Sequence, residues 1–322
     1  MATRNPAPAH PDATPALPDK RPLLTIAIPS YNNAETVGTA VTSALEQSDL
    51  ESCEILVVNN ASTDGTADVL RRHVHNPVLR VANNPETVGL WENHNVCLRK
   101  ARGDYVLFCH ADDHLDRHAV HAIKRKLEQR DYPERYILWG HSLFRDYYAP
   151  LANAGLTTGK LFAGLAAVRP FINVGLTPSG TCYARELIDH GGFFPVDNLA
   201  PSDSSSMVWA ALQGFRFEMM EDILFHRRDA STALSTCKRS EYIPRFKAAW
   251  TPLLERIDDN TAVDLVRASQ AVRWVNPGFY ACLADRIPRE VRERMLIKLL
   301  ESPLHAIRPP FWTTLMRCAF KN

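Results

Sequence analysis

The stretch Glu54-Ile55-Leu56-Val57-Val58-Asn59-Asn60-Ala61-Ser62-Thr63-Asp64-Gly65-Thr66 decides how the first half of this chain is built. An apolar, largely β-branched run reads as a buried strand, closed by Asn59-Asn60. A polar loop follows, in which Asp64-Gly65 supplies turn chemistry. The pattern from Thr66 to His73 is helical, with Thr66 available as its cap.

The same grammar extends to either side. Leu23-Leu24-Thr25-Ile26-Ala27-Ile28 is another buried run, stopped by Pro29. Val37, Ala40, Val41, Ala44 and Leu45 then repeat at helical spacing, with Asn32 or Asn33 available as a cap. Val78 to Val81 reads as a strand, Trp91 to Ala101 as a helix, and Asp104 to Cys109 as a strand. His118 to Gln129 is a basic-faced helix, and Tyr136 to Trp139 a further short strand. Strands alternating with helices predict right-handed crossovers and an α/β fold: a mainly parallel central sheet with helices on both faces. Ligands of such sheets bind beyond the carboxyl ends of the strands. The polar clusters fall there: Pro29-Ser30-Tyr31-Asn32, Asn59-Asn60-Ala61-Ser62, Asn83-Asn84 and His110 to His114.

Composition limits what the site can serve. With 322 residues and 45% hydrophobic content, the chain buries a full core and holds one large domain with extensions. A formal net charge of +1 gives no bulk case for nucleic-acid binding. The 7 cysteines are scattered, odd in number and free of any Cys-x-x-Cys pair, which suits reduced thiols in a cytoplasm. Met1 to Lys20 is rich in Pro and Ala and reads as part of a disordered leader. No run approaches the roughly 18 apolar residues that span a bilayer.

Three of the polar clusters carry specific chemistry. Gly103-Asp104-Tyr105-Val106-Leu107-Phe108-Cys109-His110-Ala111-Asp112-Asp113 is a strand that ends in tandem carboxylates. Placed at a strand's carboxyl edge, they suit a hard divalent cation held against a phosphate, although an isolated Asp-Asp is more often an ordinary exposed acidic turn. Asn59 and Asn60 can donate and accept, which suits the edge of a base or a ribose hydroxyl. Tyr31 offers a ring to a nucleobase. The first loop lacks the glycines that bring a helix against a dinucleotide's pyrophosphate, which disfavours hydride transfer. Trp91 fits a core position and a ligand stack alike.

Taken in order, Leu24 to Asn32, Ile55 to Thr66, and Ala101 to Phe108 ending in Asp112-Asp113 strongly resemble family 2 glycosyltransferases, over roughly residues 22 to 235. The resemblance implies a GT-A, Rossmann-like fold, inverting sugar transfer from a nucleotide-diphospho-sugar donor, and a divalent metal (Mn²⁺ or Mg²⁺) at the acidic motif. Pro29, Tyr31 and Asn59 fall where the family holds the base, so the nucleotide-binding candidates are Pro29, Tyr31, Asn32, Asn59, Asn60, Asp64, Asp112 and Arg228. Asp112 and Asp113 fall where it holds the ribose, diphosphate and metal. The family's acidic motif often reads Asp-x-Asp, and here His110 takes the first position. A neutral imidazole there ligates a metal, hydrogen-bonds a phosphate, or simply packs. Asn59 replaces an Asp that commonly binds uracil.

Further on, Pro201 to Phe215 matches the frame of the family's catalytic base, with the expected Glu-Asp reduced to Ser202-Asp203. Asp203 is the expected general base; the bland alternative is a carboxylate at a helix N-terminus. Pro178-Ser179-Gly180-Thr181 resembles the loop that shapes the acceptor pocket. His226 to Thr232 resembles a basic segment near the diphosphate, where His226 or Arg228 would neutralise the leaving group.

The expected layout is a leader (1–21), a glycosyltransferase domain (22–235, nucleotide-binding to 141 and acceptor-binding from 142) and a helical extension (236–322). The acceptor is expected to be a glycan or lipid-linked hydroxyl in polysaccharide or cell-surface glycan synthesis. Rival readings are a non-catalytic nucleotide-sugar binding or scaffold protein, and a nucleotidyltransferase, whose glycine- and lysine-rich first loop is missing. Glu290 to Phe320 mixes basic and apolar residues and fits peripheral contact with an anionic membrane, an oligomer interface or ordinary packing.

Overall fold

The computed structural model describes residues 21–142, 157–172, 175–196, 202–227, 242–270, 279, 282–283 and 286–300. In chain order these form β1 (Leu24–Ser30), α1 (Val37–Leu45), β2 (Cys53–Asn59), α2 (Thr66–Arg71), β3 (Leu79–Asn83), α3 (Leu90–Lys100), β4 (Tyr105–Phe108), β5 (His114–Leu115), α4 (Ala119–Gln129) and β6 (Tyr136–Ser142). There follow β7 (Leu161–Phe162), α5 (Gly164–Phe171), β8 (Thr181–Ala184), a 3₁₀ turn (Arg185–His190), α6 (Ser202–Leu212) and β9 (Arg216–His226). Last come α7 (Tyr242–Leu254), α8 (Asp259–Gln270) and α9 (Arg289–Leu300).

One nine-stranded sheet carries the fold, in the order β3-β2-β1-β4-β8-β6-β9-β5, with β7 paired to β9. Its first four strands are parallel. β6–β9 is also parallel, and β4–β8, β6–β8, β5–β9 and β7–β9 are antiparallel, so the sheet is mainly parallel as expected, with the antiparallel pairs on its β8-to-β5 side. β1 and β2 are buried along their whole length, as strands covered on both faces must be.

β1 does not stop at Pro29; it runs through it to Ser30. The Ala27 carbonyl faces β4, where it accepts from the Cys109 N–H. Pro29, two residues on, faces the same way, beyond the last β1–β4 pair (Ala27 with Phe108), where no strand N–H is required.

Gly103 explains the turn into β4. A Cβ there would stand 2.6 Å from the Thr25 backbone N, so the close approach to β1 demands glycine. The Gly103 N–H donates to Thr25 Oγ1 and the Arg102 N–H to the buried Glu54 carboxylate, which Arg80 also holds.

Several expected boundaries move. The pattern from Leu161 to Val174 suggests a helix broken at Pro170; the structure forms β7 and α5, and Pro170 lies inside the helix. The Gly/Thr/Ser/Pro stretch from Gly175 to Tyr183 reads as a loop and ends in β8. A helix pattern runs from Met207 to Gly214 after a Ser-rich entry, yet α6 already begins at Ser202. The helical pattern over Glu255 to Trp274 corresponds to α8 from Asp259, preceded by α7. The helices after β9 dock onto those before it: α7 lies on α6, and α8 on α5. Among the described residues, no helix is long and apolar enough to cross a membrane. The leader to residue 20 and the basic-apolar stretch beyond Leu300 lie outside the described residues.

Candidate active site

Register brings the polar loops to one edge. Ser30 pairs with Asn59 and Asn59 with Asn83, so β1, β2 and β3 end level; the Asn60 N–H then donates to the Ser30 carbonyl and the Asn84 N–H to Asn59. β4 ends beside them, one strand over.

The first two loops are stitched together. The Asn32 backbone N–H donates to Ser62 Oγ (2.9 Å), and the Thr63 N–H donates to the Asn32 side-chain oxygen (2.9 Å). Asn32 adopts φ +52°, which asparagine tolerates better than most residues. The Asp64 carboxylate accepts from the Ala34 N–H (3.0 Å) and from the Thr66 N–H (2.9 Å) and hydroxyl. Burial, the largest single influence, opposes its ionisation, but the bonds from Thr66 and Ala34 together outweigh it and hold its carboxyl below the usual range. Asp64, not Thr66, therefore holds the start of α2. Nor does an asparagine side chain cap α1: it starts after Thr36 with no side-chain cap, and Asn33 Oδ1 accepts from the Tyr31 N–H instead.

Asn60 is committed in the same way. Its Oδ1 accepts from the Val88 N–H and from Asn84 Nδ2, and its Nδ2 donates to the Val88 carbonyl. Asn60 and Asp64 thus brace the loops that follow β1, β2 and β3. Asn59 donates to Asn83 Oδ1 (3.0 Å) and is almost fully buried. Pro29 is buried too, whereas Tyr31 stands at the rim, 49% exposed. Trp91 resolves as core, stacked on Phe193.

At the end of β4, His110, Asp112 and Asp113 each offer a ligand atom, all within 4.8 Å of one another. Asp113 is buried, His110 half-buried and Asp112 exposed. His110 Nδ1 lies 3.9 Å from Asp113 Oδ2. Two carboxylates with one imidazole suit a divalent ion of the Mn²⁺ or Mg²⁺ kind.

His94, on the buried face of α3, stands behind His110: the two Nε2 atoms are 3.1 Å apart, and His94 Nδ1 is 2.8 Å from the Leu90 carbonyl. Burial, then the neighbouring His110, pushes the His94 pKa down to about 3. Sequence reading passed over His94, although a histidine in register with Trp91, Cys97 and Leu98 on an apolar helix face was its signal.

The loop before β8 locks onto this edge. The His110 N–H donates to Ser179 Oγ (3.1 Å) and the Gly180 N–H to the Phe108 carbonyl (2.9 Å). Gly180 has φ +74°, and a Cβ there would strike the Phe225 ring. β9 returns to the same place, where His226 stacks on His114 (4.8 Å between centroids) and lies 3.3 Å from Asp116. Burial, followed by the charge of His226, lowers the His114 pKa. Arg228 lies outside the described residues.

Asp203 sits in the first turn of α6. Burial raises its carboxyl pKa to about 6, opposed by bonds from the backbone N–H groups of Ser204 and Asp203. The helix is held from behind: Ser202 Oγ donates to the Phe194 carbonyl (2.7 Å) and Ser205 Oγ to the Ala249 carbonyl of α7 (2.5 Å).

Residues 25–134 match the family described as Glycosyl transferase family 2. That segment is similar to family 2 glycosyltransferases. Among its relatives, an uncharacterised Mycobacterium tuberculosis protein is 38% identical over 108 residues, 34% of this chain and 33% of that protein. Chondroitin synthase of Pasteurella multocida is 36% identical over 102 residues, 31% of this chain and 10% of that enzyme. The chain therefore matches a third or less of these relatives' lengths. Staphylococcus aureus TarS (residues 1–349, in complex with UDP-GlcNAc) superposes with a TM-score of 0.64, covering 91% of this chain and 89% of that one at 16% identity. The glycosyltransferase GT-A architecture thus extends well past the matched segment.

Proposed function

We propose that this chain is an inverting glycosyltransferase, moving a sugar from a nucleotide-diphosphate donor to a hydroxyl of a glycan or lipid-linked acceptor in polysaccharide or cell-surface glycan synthesis. The observation that carries this reading is the meeting of the His110–Asp112–Asp113 donor set with braced nucleotide loops at one edge of the sheet. The name of the relative chondroitin synthase and the UDP-GlcNAc bound to TarS fit such a donor and product.

In this reading the base packs on Tyr31 and against Pro29 and Asn59, and Asp112 and Asp113, with His110, would hold a divalent cation, which when bound would supply Lewis-acid stabilisation of the diphosphate's growing charge. Asp203 takes the proton from the acceptor hydroxyl as its oxygen attacks the anomeric carbon. The bond to the diphosphate breaks on the opposite face, its electron pair leaving with the phosphate oxygen, and the anomeric centre inverts. A carboxyl with a pKa near 6 is ionised at neutral pH yet more basic than an exposed aspartate. His226, 3.3 Å from Asp116 beside the acidic loop, neutralises the departing diphosphate in this reading.

The test is a panel of nucleotide sugars with Mn²⁺, read by thermal shift and then by release of nucleoside diphosphate with oligosaccharide acceptors. Product of inverted anomeric configuration by NMR supports the reading. Binding without turnover for every donor and acceptor would assign the chain to the non-catalytic class.

A further inference from the structure

We propose that His94 is a positioning residue: it fixes His110 as the tautomer whose Nδ1 lone pair faces Asp113, so that the cation site receives a nitrogen donor held from behind. The proposal rests on the metal-assisted transferase reading above and adds to it a residue outside the acidic motif.

The argument is one of donors and acceptors. The Leu90 carbonyl can only accept, so the hydrogen on His94 sits on Nδ1, 2.8 Å from that oxygen. A neutral imidazole carries a single N–H, which leaves His94 Nε2 as a bare acceptor. His110 Nε2 lies 3.1 Å from it, and the contact is a hydrogen bond only if His110 donates. With its hydrogen on Nε2, neutral His110 has a lone pair on Nδ1. That atom lies 3.9 Å from Asp113 Oδ2, within the donor cluster. A backbone carbonyl, one imidazole and then a second imidazole form a relay that sets which nitrogen meets the ion. Outer partners of this kind orient metal-binding histidines and raise their basicity.

His94 has no freedom to do otherwise. Its ring is 1% exposed and wedged among Trp91, Phe108 and Phe193, at centroid distances of 5.6, 5.1 and 5.6 Å. The surrounding rings fix its plane, and the Leu90 carbonyl fixes its tautomer. His110 alone is half-exposed and would exchange its proton between the two nitrogens.

The relay also predicts ion selectivity, because imidazole favours Mn²⁺ and later transition ions over Mg²⁺, whereas carboxylates serve both. Two measurements on the full chain test the proposal. In metal-free protein, nitrogen NMR of the imidazoles is expected to show His110 with a bare Nδ1 and a hydrogen on Nε2; a hydrogen on Nδ1 overturns the proposal, with no variant needed. Calorimetric titration with Mn²⁺ and Mg²⁺ then compares wild type, His94→Phe, His110→Ala and the double variant. His94→Phe, which preserves the aromatic packing, is expected to weaken Mn²⁺ about tenfold and Mg²⁺ less than about twofold. In the His110→Ala background the same change is expected to alter neither ion. Equal losses for both ions, or the same Mn²⁺ loss without His110, would show a merely structural His94 and overturn the relay. Wild type that binds no Mn²⁺ removes the metal-assisted reading along with it, whereas Mn²⁺ binding with the wrong His110 tautomer removes the relay alone.

Discussion

The Asp203 carboxylate occupies the space a side chain at Gly175 would need: a Cβ on Gly175 would stand 1.8 Å from Asp203 Oδ2 and 2.4 Å from its carboxyl carbon. No rotamer adjustment of a few tenths of an ångström relieves such an overlap, so the glycine reserves the place the carboxylate occupies.

Gly175→Ala is therefore expected to push the Asp203 carboxylate aside and lower transfer by about 10²-fold or more, in the range set by loss of a general base. Asp203→Asn is expected to lower it by about 10²- to 10⁴-fold. Both should leave donor affinity within about twofold, since neither residue belongs to the nucleotide loops. Single-turnover transfer rates beside calorimetric donor affinities check this. Normal turnover in Asp203→Asn would remove it from the role of base.

The pKa of about 6 on Asp203 sets a pH profile. A base must be ionised to accept a proton, so kcat/KM is expected to fall about tenfold per pH unit well below 6 and to level off above it. A profile flat down to pH 4.5 would contradict the assignment.

The same shift makes a stability statement. The carboxyl binds its proton more tightly in the folded chain (about 6) than at its ordinary value of 3.8. Ionising it thus weakens the fold, fully above the folded value and not at all below the ordinary one. Asp203→Asn is expected to raise Tm at pH 7.5, with the gain shrinking between pH 6 and 4 and absent at pH 3.5. Thermal melts across that range decide it.

Asp112→Ala removes a carboxylate from the donor set, so Mn²⁺-dependent binding of a nucleoside diphosphate is expected to weaken at least tenfold, the lower figure for disturbing even an outer metal partner. Metal-free nucleotide binding should change little. Calorimetry with and without Mn²⁺ separates the two.

Away from the site, Glu218 is fully buried in β9 and accepts from Arg130 (2.7 and 2.8 Å) and the Tyr136 hydroxyl (2.6 Å). Burial alone would raise its carboxyl pKa, but the bonds from Arg130 and Tyr136 bring it below the ordinary value. Its stabilising contribution is accordingly present at neutral pH and lost as pH falls through the folded value. Glu218→Ala is expected to cost about 3 kcal/mol in urea unfolding at pH 7.

The first half was legible because β1, β2 and β4 are buried along their length and read as unbroken apolar runs, each punctuated by a polar loop that register then aligns. The second half hid its elements behind tertiary compensation. α6 opens on Ser202, Asp203, Ser204, Ser205 and Ser206, weak helix formers that read as a loop. They turn helical because Phe194 and Ala249 carbonyls, from elsewhere in the chain, accept the hydroxyls of Ser202 and Ser205. β9 carries Glu218 where an apolar residue was the signal, and its partners lie on α4 and β6. The acidic motif could be read from sequence; the His94 behind it could not, because its meaning lies in which atoms face Leu90 and His110.

The cross-bonding of Asn32 to Ser62 and Thr63, and of Asp64 to Ala34 and Thr66, has a kinetic consequence. Loops already fastened to each other surrender little conformational entropy when a nucleotide lands. Capture at this face should therefore behave as a rigid encounter, with a single fast phase in stopped-flow fluorescence and no slow reorganisation trailing behind it.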